Sequence, residues 1–396
     1  MKKLVSILLT AVLLAALLAG CGQETAAPTE SQTPAATAAT ETPAATDEPG
    51  TEAAEEPAAE TAAFDFEQAA QRYSADTVVL TVGGTEITWG DYYGSLEQMV
   101  YEIYSYYGIS DLNLEIQEGL TIGDWIKSWT EDYFRQFVML HEKAEELGLT
   151  LTEEDLAPID EDIRTQADAY FEGDVDALFE AMHIPESLYR YQAEASLLYD
   201  KLFAHFFGEG GSELGDEDAV AYAEENGYLY AKHILWSFTD DSGNALSDEE
   251  KDAKRDLAQE VLDELLDMSP DELDAAFDDM MQHYTEDPGV ASYPDGYYFQ
   301  TGEMVAVFEE AAAALELGQL SELVESDYGV HLLYRPAMRG EHVVSYDSGY
   351  NPVTLRYMAA SGLFETMGQE WLDETPLEYA DGFADLNLTD LFTYTA

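Results

Sequence analysis

The chain of 396 residues carries 82 acidic against 16 basic side chains, a formal net charge of −66, with one cysteine and 26 tyrosines. That balance excludes a nucleic-acid-binding role, because phosphate contacts need Lys and Arg. A lone cysteine likewise excludes a framework of internal disulfides.

Lys2 and Lys3 precede an apolar run from Leu4 to Leu18, too short to cross a bilayer comfortably, which closes on Leu18-Ala-Gly-Cys21. Basic start, apolar core, small residues and cysteine together resemble the bacterial lipoprotein signal. The resemblance implies a signal peptide over residues 1–20 and an acylated Cys21 that anchors the body outside the cytoplasm, on the bacterial cell membrane. It also removes the only thiol from disulfide, metal or redox work. Residues 21–63 are dominated by Ala, Thr, Glu and Pro, with no basic or aromatic side chain before Phe64. Such a stretch buries too little apolar surface to offset its ordering entropy, so a disordered, self-repelling tether is expected. Mucin-like O-glycosylation is compatible with the composition.

The remainder is long enough for two domains. Val78 to Val82 alternates into Gly83-Gly84 and Glu86-Ile-Thr88, a hairpin signal. A helix then carries Tyr93, Leu96, Val100, Ile103 and Tyr107 on one face. A second runs from Ile122 through Trp125, Trp129, Tyr133 and Phe137 to Leu140 and stops at Gly148. More helix is expected from Glu153 to Met182 with a break near Gly173, and another from Leu188 through Tyr191, Ala195 and Leu198 to Leu202. Aromatic stripes of this kind are core more often than peptide cradle, although the tyrosines leave room for an amphipathic groove.

His233 and His331 each sit in an apolar strand-like run, at opposite ends of one block. Buried imidazoles are costly unless each ring finds a partner, so a satisfied pair marks a candidate site. Between them, Ser247-Asp-Glu-Glu250 reads as a capping box opening a helix with Leu257, Val261, Leu262 and Leu265 on one face. Ser269, Pro270 and Glu272 open the next helix. Then come Tyr284-Thr-Glu-Asp287-Pro-Gly, an irregular stretch through Gly296, Phe299, Met304 and Phe308, and finally Ser326-Asp-Tyr-Gly329-Val-His331.

This string resembles the parvulin family of peptidyl-prolyl cis/trans isomerases from Tyr228 to Ala337. By that resemblance His233, Asp287, Ser326 and His331 form the catalytic network, and Met304 and Phe308, with Phe299 and Tyr298, receive the proline ring. The family's Gly-Gly-Asp-Leu-Gly segment is replaced by Tyr293-Pro-Asp-Gly-Tyr-Tyr, so the apolar wall given by that leucine must come from Tyr297 or Tyr298, or be missing. The chemistry is rotation about an amide with a barrier of about 18–20 kcal/mol. It asks for a dry, shaped pocket, not a nucleophile, metal or cofactor.

After Arg339, His342-Val-Val-Ser345 reads as a strand, leading into a helix from near Pro352 with Ala360, Phe364, Met367 and Trp371 along one face. Hairpin and helices ahead of a parvulin block look like the chaperone region of PrsA-type and SurA-type foldases. The expected fold is α+β: a mostly helical chaperone domain over 64–227, an inserted parvulin domain over 228–338 with a small antiparallel sheet surrounded by helices, and a strand and helix over 339–396 returning to the chaperone domain. Two functions follow. One is an anchored isomerase and chaperone for exported polypeptides containing X-Pro bonds, for which a homodimer is conceivable. The other is a lipid-anchored holdase using the parvulin fold only as scaffold. No acidic run has the spacing of a calcium loop, so no specific metal is expected.

Overall fold

The computed structural model describes residues 64–182 and 184–392. The expected signal peptide, Cys21 and the tether lie outside the described residues. In chain order the elements are α1 (Phe66–Ala70), β1 (Val78–Val82), β2 (Thr85–Thr88), α2 (Trp89–Tyr107), β3 (Glu115–Gln117), β4 (Leu120–Thr121), α3 (Ile122–Glu146), α4 (Glu153–Tyr170), α5 (Val175–Met182) and α6 (Glu186–Phe207). They continue with α7 (Asp216–Glu225), β5 (Leu229–Ser237), α8 (Asp248–Leu266), α9 (Pro270–Tyr284), β6 (Tyr297–Phe299), α10 (Ala306–Ala314), β7 (Val324–Glu325) and β8 (Gly329–Tyr334). The last are β9 (Val343–Tyr346), β10 (Pro352–Thr354), α11 (Leu355–Glu374), β11 (Leu377–Tyr379) and α12 (Leu388–Phe392). The architecture is α+β. It divides into two compact units, one running to Leu198 and resuming at Thr375, the other Tyr199–Glu374.

In the first unit, Gly83 and Gly84 both take positive φ, the conformation a tight hairpin turn needs, and close β1 onto β2. β11 pairs with the free edge of β1, with Leu80 opposite Tyr379, to give the three-stranded order β11-β1-β2. Thr88 caps α2, whose buried face holds Trp89, Tyr92, Tyr93, Leu96, Val100 and Ile103. Tyr107, at the end of that stripe, is exposed. Thr121 and Asp124 form a reciprocal capping box at the start of α3.

The buried stripe of α3 is not the aromatic one. Ile126, Thr130, Phe134 and Val138 enter the core, while Trp129, Tyr133 and Phe137 ride half-buried on its flank, Trp129 stacked on Tyr133 at 4.9 Å and Phe137 edge-on to Tyr133 at 4.2 Å. Large rings spaced four apart contact one another on the flank, and the side chains one position on, Phe134 among them, fill the core. The helical stretch after Glu153 breaks where expected, with Gly173 at positive φ between α4 and α5.

In the second unit a four-stranded antiparallel sheet has the order β6-β5-β8-β7. Both faces of β5 and β8 are buried, so neither strand shows simple alternation of polar and apolar residues. Ile234, Trp236, Val330, Leu332 and Tyr334 face α8 and α9, where Leu265, Phe277 and Met281 complete the cluster. Ala231 and Leu333 face α10, with Phe299, Phe308 and Leu315. Lys232, on the α9 side, has its charge met by Asp274 at 2.9 Å and Asp278 at 2.6 Å. Pro352 does not start the last long helix: Pro352–Thr354 pairs with β9, and α11 begins at Leu355. In α11, Ala360 and Phe364 are buried as the stripe predicts, and the Phe364 ring meets Phe203 at 5.5 Å.

Candidate active site

The register of β5 with β8 sets the site. His233 lies opposite Leu333 and Leu235 opposite His331, so the two histidines are diagonal neighbours on the face that meets α10. Their Nδ1 atoms are 3.3 Å apart, and the residues are only 8% and 4% exposed. Imidazoles this deep need partners on both nitrogens. His233 Nε2 is 2.8 Å from Asp287 Oδ2, and His331 Nε2 is 2.7 Å from Ser326 Oγ.

Asp287 arrives there because the chain leaving α9 runs along β5. Glu286 N donates to Leu235 O at 2.8 Å, and Leu235 N donates to Thr285 Oγ1 at 3.2 Å. Asp287 then caps the turn Pro288–Ala291, its Oδ1 accepting from Gly289 N at 3.0 Å. Tyr297 OH donates to its Oδ2 at 2.6 Å. Burial works to raise the Asp287 pKa, but the bonds from His233, Tyr297 and Gly289 outweigh it and hold the carboxyl down at about 2. Burial lowers the His331 pKa to about 4, with His233 adding to the effect and Asp287 opposing it.

One proton assignment satisfies every member with both rings uncharged. Tyr328 N donates to Ser326 Oγ at 3.1 Å, leaving the serine hydrogen for His331 Nε2. The His331 hydrogen then sits on Nδ1 facing His233 Nδ1, and the His233 hydrogen on Nε2 faces Asp287. The folded His331 takes a proton near pH 4 where the unfolded one does so near 6.5. Its contribution to stability is therefore whole above pH 6.5 and is lost as pH falls from 6.5 to 4, by on the order of 3 kcal/mol. In nitrogen-15 NMR of histidine-labelled protein, the His331 ring is expected to keep neutral shifts until close to pH 4. A midpoint at its ordinary value would contradict the buried network.

Phe308, 3% exposed, stands edge-on to both imidazoles at centroid distances of 5.1 and 5.8 Å. Met304 is half-buried against the same cluster. Phe299 is buried behind Phe308 at 5.6 Å and supports it from beneath. Strand alternation separates the two tyrosines of β6. Tyr297 faces His233 at 5.4 Å, whereas Tyr298 points to the other face, stacks on Tyr230 at 4.4 Å and bonds His342 Nδ1 at 2.8 Å. Tyr298 is thus placed away from the histidine pair, correcting its expected place in the pocket. Tyr297, read from sequence only as an alternative wall, is a member of the hydrogen-bonded network. Among the described residues no group of three or more His, Cys, Asp or Glu is arranged to hold a metal.

Residues 233–337 match the family model described as Rotamase: PPIC-type PPIASE domain. Over 99 residues the chain is 31% identical to peptidyl-prolyl cis-trans isomerase Pin1 of Digitalis lanata, 25% of this chain and 80% of that protein. The chain belongs to the PPIC-type, or parvulin, peptidyl-prolyl isomerase family. This parvulin is also 36% identical over 128 residues to foldase protein PrsA of Halalkalibacterium halodurans, 31% of this chain and 32% of that protein. With foldase protein PrsA of Oceanobacillus iheyensis it shares 30% over 178 residues, 44% of this chain and 46% of that protein. The matches therefore span less than half the length of either foldase. Peptidylprolyl isomerase PrsA of Bacillus cereus aligns in structure at a TM-score of 0.28 and 18% identity, over 71% of this chain and 98% of that one. A superposition that loose adds nothing to the domain match.

Proposed function

We propose that this protein is a peptidyl-prolyl cis/trans isomerase and chaperone for exported polypeptides, anchored to the bacterial cell membrane through lipid on Cys21. The observation that carries the isomerase activity is the unbroken chain from Ser326 through His331 and His233 to Asp287, lying against Phe308. A proline ring packs on Phe308 and Met304. Because Phe308 is almost wholly covered in the free protein, ring entry displaces the half-buried rim, and unbranched Met304 is well suited to yield. In the twisted amide the nitrogen loses resonance, so an apolar site that leaves the planar carbonyl unsolvated favours the transition state over either ground state. His233 and His331 fix the polarity of the wall, and no covalent step is required of them.

Anchoring is supported by the sequence of residues 1–21. Among the described residues, no helix is long and apolar enough to cross a membrane. In this scheme residues 64–227 with 339–396 hold the client and residues 228–338 isomerise it. A holding role for the first segment is supported by the end of α2, where Tyr101, Tyr106 and Tyr107 are exposed.

Local charge defines the substrate further. The cations of residues 228–338 are Lys232, Lys251, Lys254, Arg255 and Arg335. Each is engaged: with Asp274 and Asp278, the Phe238 ring, Glu286, Glu325, and the Leu315 carbonyl respectively. None is directed at an anionic residue ahead of proline, while Glu303, Glu310 and Asp327 are exposed close in sequence to Met304, Phe308 and Ser326. Turnover of Lys-Pro peptides is expected to exceed that of Glu-Pro peptides by about tenfold at low ionic strength, and the ratio to shrink in salt. A protease-coupled assay over Lys-Pro, Ala-Pro and Glu-Pro peptides measures it. Absence of turnover on all three would leave the anchored holdase.

A further inference from the structure

The geometry points to Tyr297 as a positioning residue of the isomerase site: its hydroxyl, seated over Gly289, holds the Asp287 carboxylate in line with His233. Asp287 Oδ2 receives two donors, Tyr297 OH at 2.6 Å and His233 Nε2 at 2.8 Å, while Oδ1 receives only Gly289 N at 3.0 Å. A hydroxyl-to-carboxylate bond that short is at the strong end of its class. Without it, the partly accessible carboxylate keeps one side-chain partner and is free to turn about its terminal torsion, which is broad and soft. Any such turn loosens His233, and His331 through it.

Two glycines show that this seat is built for the tyrosine. At Gly289 a Cβ would collide with the Tyr297 hydroxyl and come within 3.1 Å of Cζ, so the bare backbone leaves room for the phenol. Gly296, immediately before β6, has φ +99°, and a Cβ there would lie 2.9 Å from Ala231 O. That left-handed turn fixes the parity of the strand so that position 297, and not 298, faces the histidines. Burial and then the Asp287 carboxylate raise the Tyr297 pKa well above its ordinary value, so the hydroxyl remains a donor at every working pH.

The kinetic consequence rests on the isomerase activity proposed above; the structural one does not. The test compares full-length protein with Tyr297→Phe, Gly289→Ala and the double variant, each checked for folding by circular dichroism. Turnover is read by two-dimensional exchange NMR on an Ala-Pro peptide, which needs no coupling protease and tolerates acid, and the His233 ring by nitrogen-15 shifts. Tyr297→Phe keeps the ring and loses the bond, so kcat is expected to fall about fivefold with KM unchanged. The His233 ring signals shift, and the acid limb of the pH profile moves upward as Asp287 loses a donor. Gly289→Ala reproduces these changes, and in the Phe background it adds less than it does alone, because the hydroxyl it chiefly displaces is gone while its Cβ still meets Cζ at 3.1 Å and Asp287 Oδ1 at 3.3 Å. Unaltered His233 signals in Tyr297→Phe, or losses that simply add in the double variant, would overturn the proposal. Should the wild type show no turnover, the His233 shifts alone decide it.

Discussion

Replacing Phe308 by alanine is expected to lower kcat/KM on Ala-Pro peptides by on the order of 100-fold, the largest kinetic effect of any single substitution in the site. In the proposed site the ring is the floor for proline, and it is also the shared edge-on neighbour of His233 and His331. Its loss removes apolar contact in the transition state and opens a void into which water can reach both imidazoles, weakening a network whose strength depends on low local dielectric. The fold pays as well: Phe308 packs with Ala231, Phe299, Ala312, Leu315 and Leu333, and truncation of a buried Phe costs about 3–5 kcal/mol. Phe308→Leu separates the two effects. It refills most of the void, so stability should largely return while turnover stays well below wild type. Equal recovery of both would mean that Phe308 acts only as core. Wild-type turnover in a folded Phe308→Ala protein would remove the pocket from the mechanism.

Much of this site was legible in the chain because its members are marked by context. His233 and His331 stand in apolar runs, Asp287 precedes Pro-Gly, and Met304 and Phe308 share a helical spacing. The order of these features carried the family resemblance and the antiparallel sheet. Tyr297 and Tyr298 were not separable in this way. Two adjacent tyrosines look alike until strand parity is known, and here parity is set by the positive φ of Gly296. The offset stripe of α3 failed for a related reason: periodicity gives the angle of an apolar face, but aromatic rings four apart can contact each other on the flank and leave the core to the side chains one position on, Phe134 among them. The start of α11 moved because Pro352 entered a β pairing with Tyr346, a contact that local sequence does not encode. The segment beyond Thr375 was the least legible. β11 and α12 are too short to show a period, and their burial depends on partners roughly 250 to 330 residues earlier in the chain.

That last segment gives the largest expected effect on stability. A chain ending at Glu374 would lose β11, which supplies one edge of the sheet through Leu80 opposite Tyr379 and through Gly83 N donating to Pro376 O at 2.9 Å. It would also lose Phe383, edge-on to Tyr92 at 5.0 Å, and Phe392, packed with Phe64, Phe66 and Tyr93, together with Leu388 and Leu391. Four side chains buried to this extent are worth together on the order of 8 kcal/mol, against a total of about 5–15 kcal/mol for a typical domain. Glu131, buried and with its pKa raised by that burial, would lose the 2.8 Å bond from Tyr379 OH and add a further cost. Truncation is therefore expected to unfold the first unit. The side chains lost all belong to the first unit, so proline turnover on a short peptide is expected to persist in the truncated chain. Tryptophan fluorescence in urea tests both halves of the expectation, since Trp89, Trp125 and Trp129 report on the first unit and Trp236 and Trp371 on the second. Two transitions unchanged by the truncation would show that the returning segment is dispensable, and loss of turnover along with the first unit would show that the isomerase cannot stand without it.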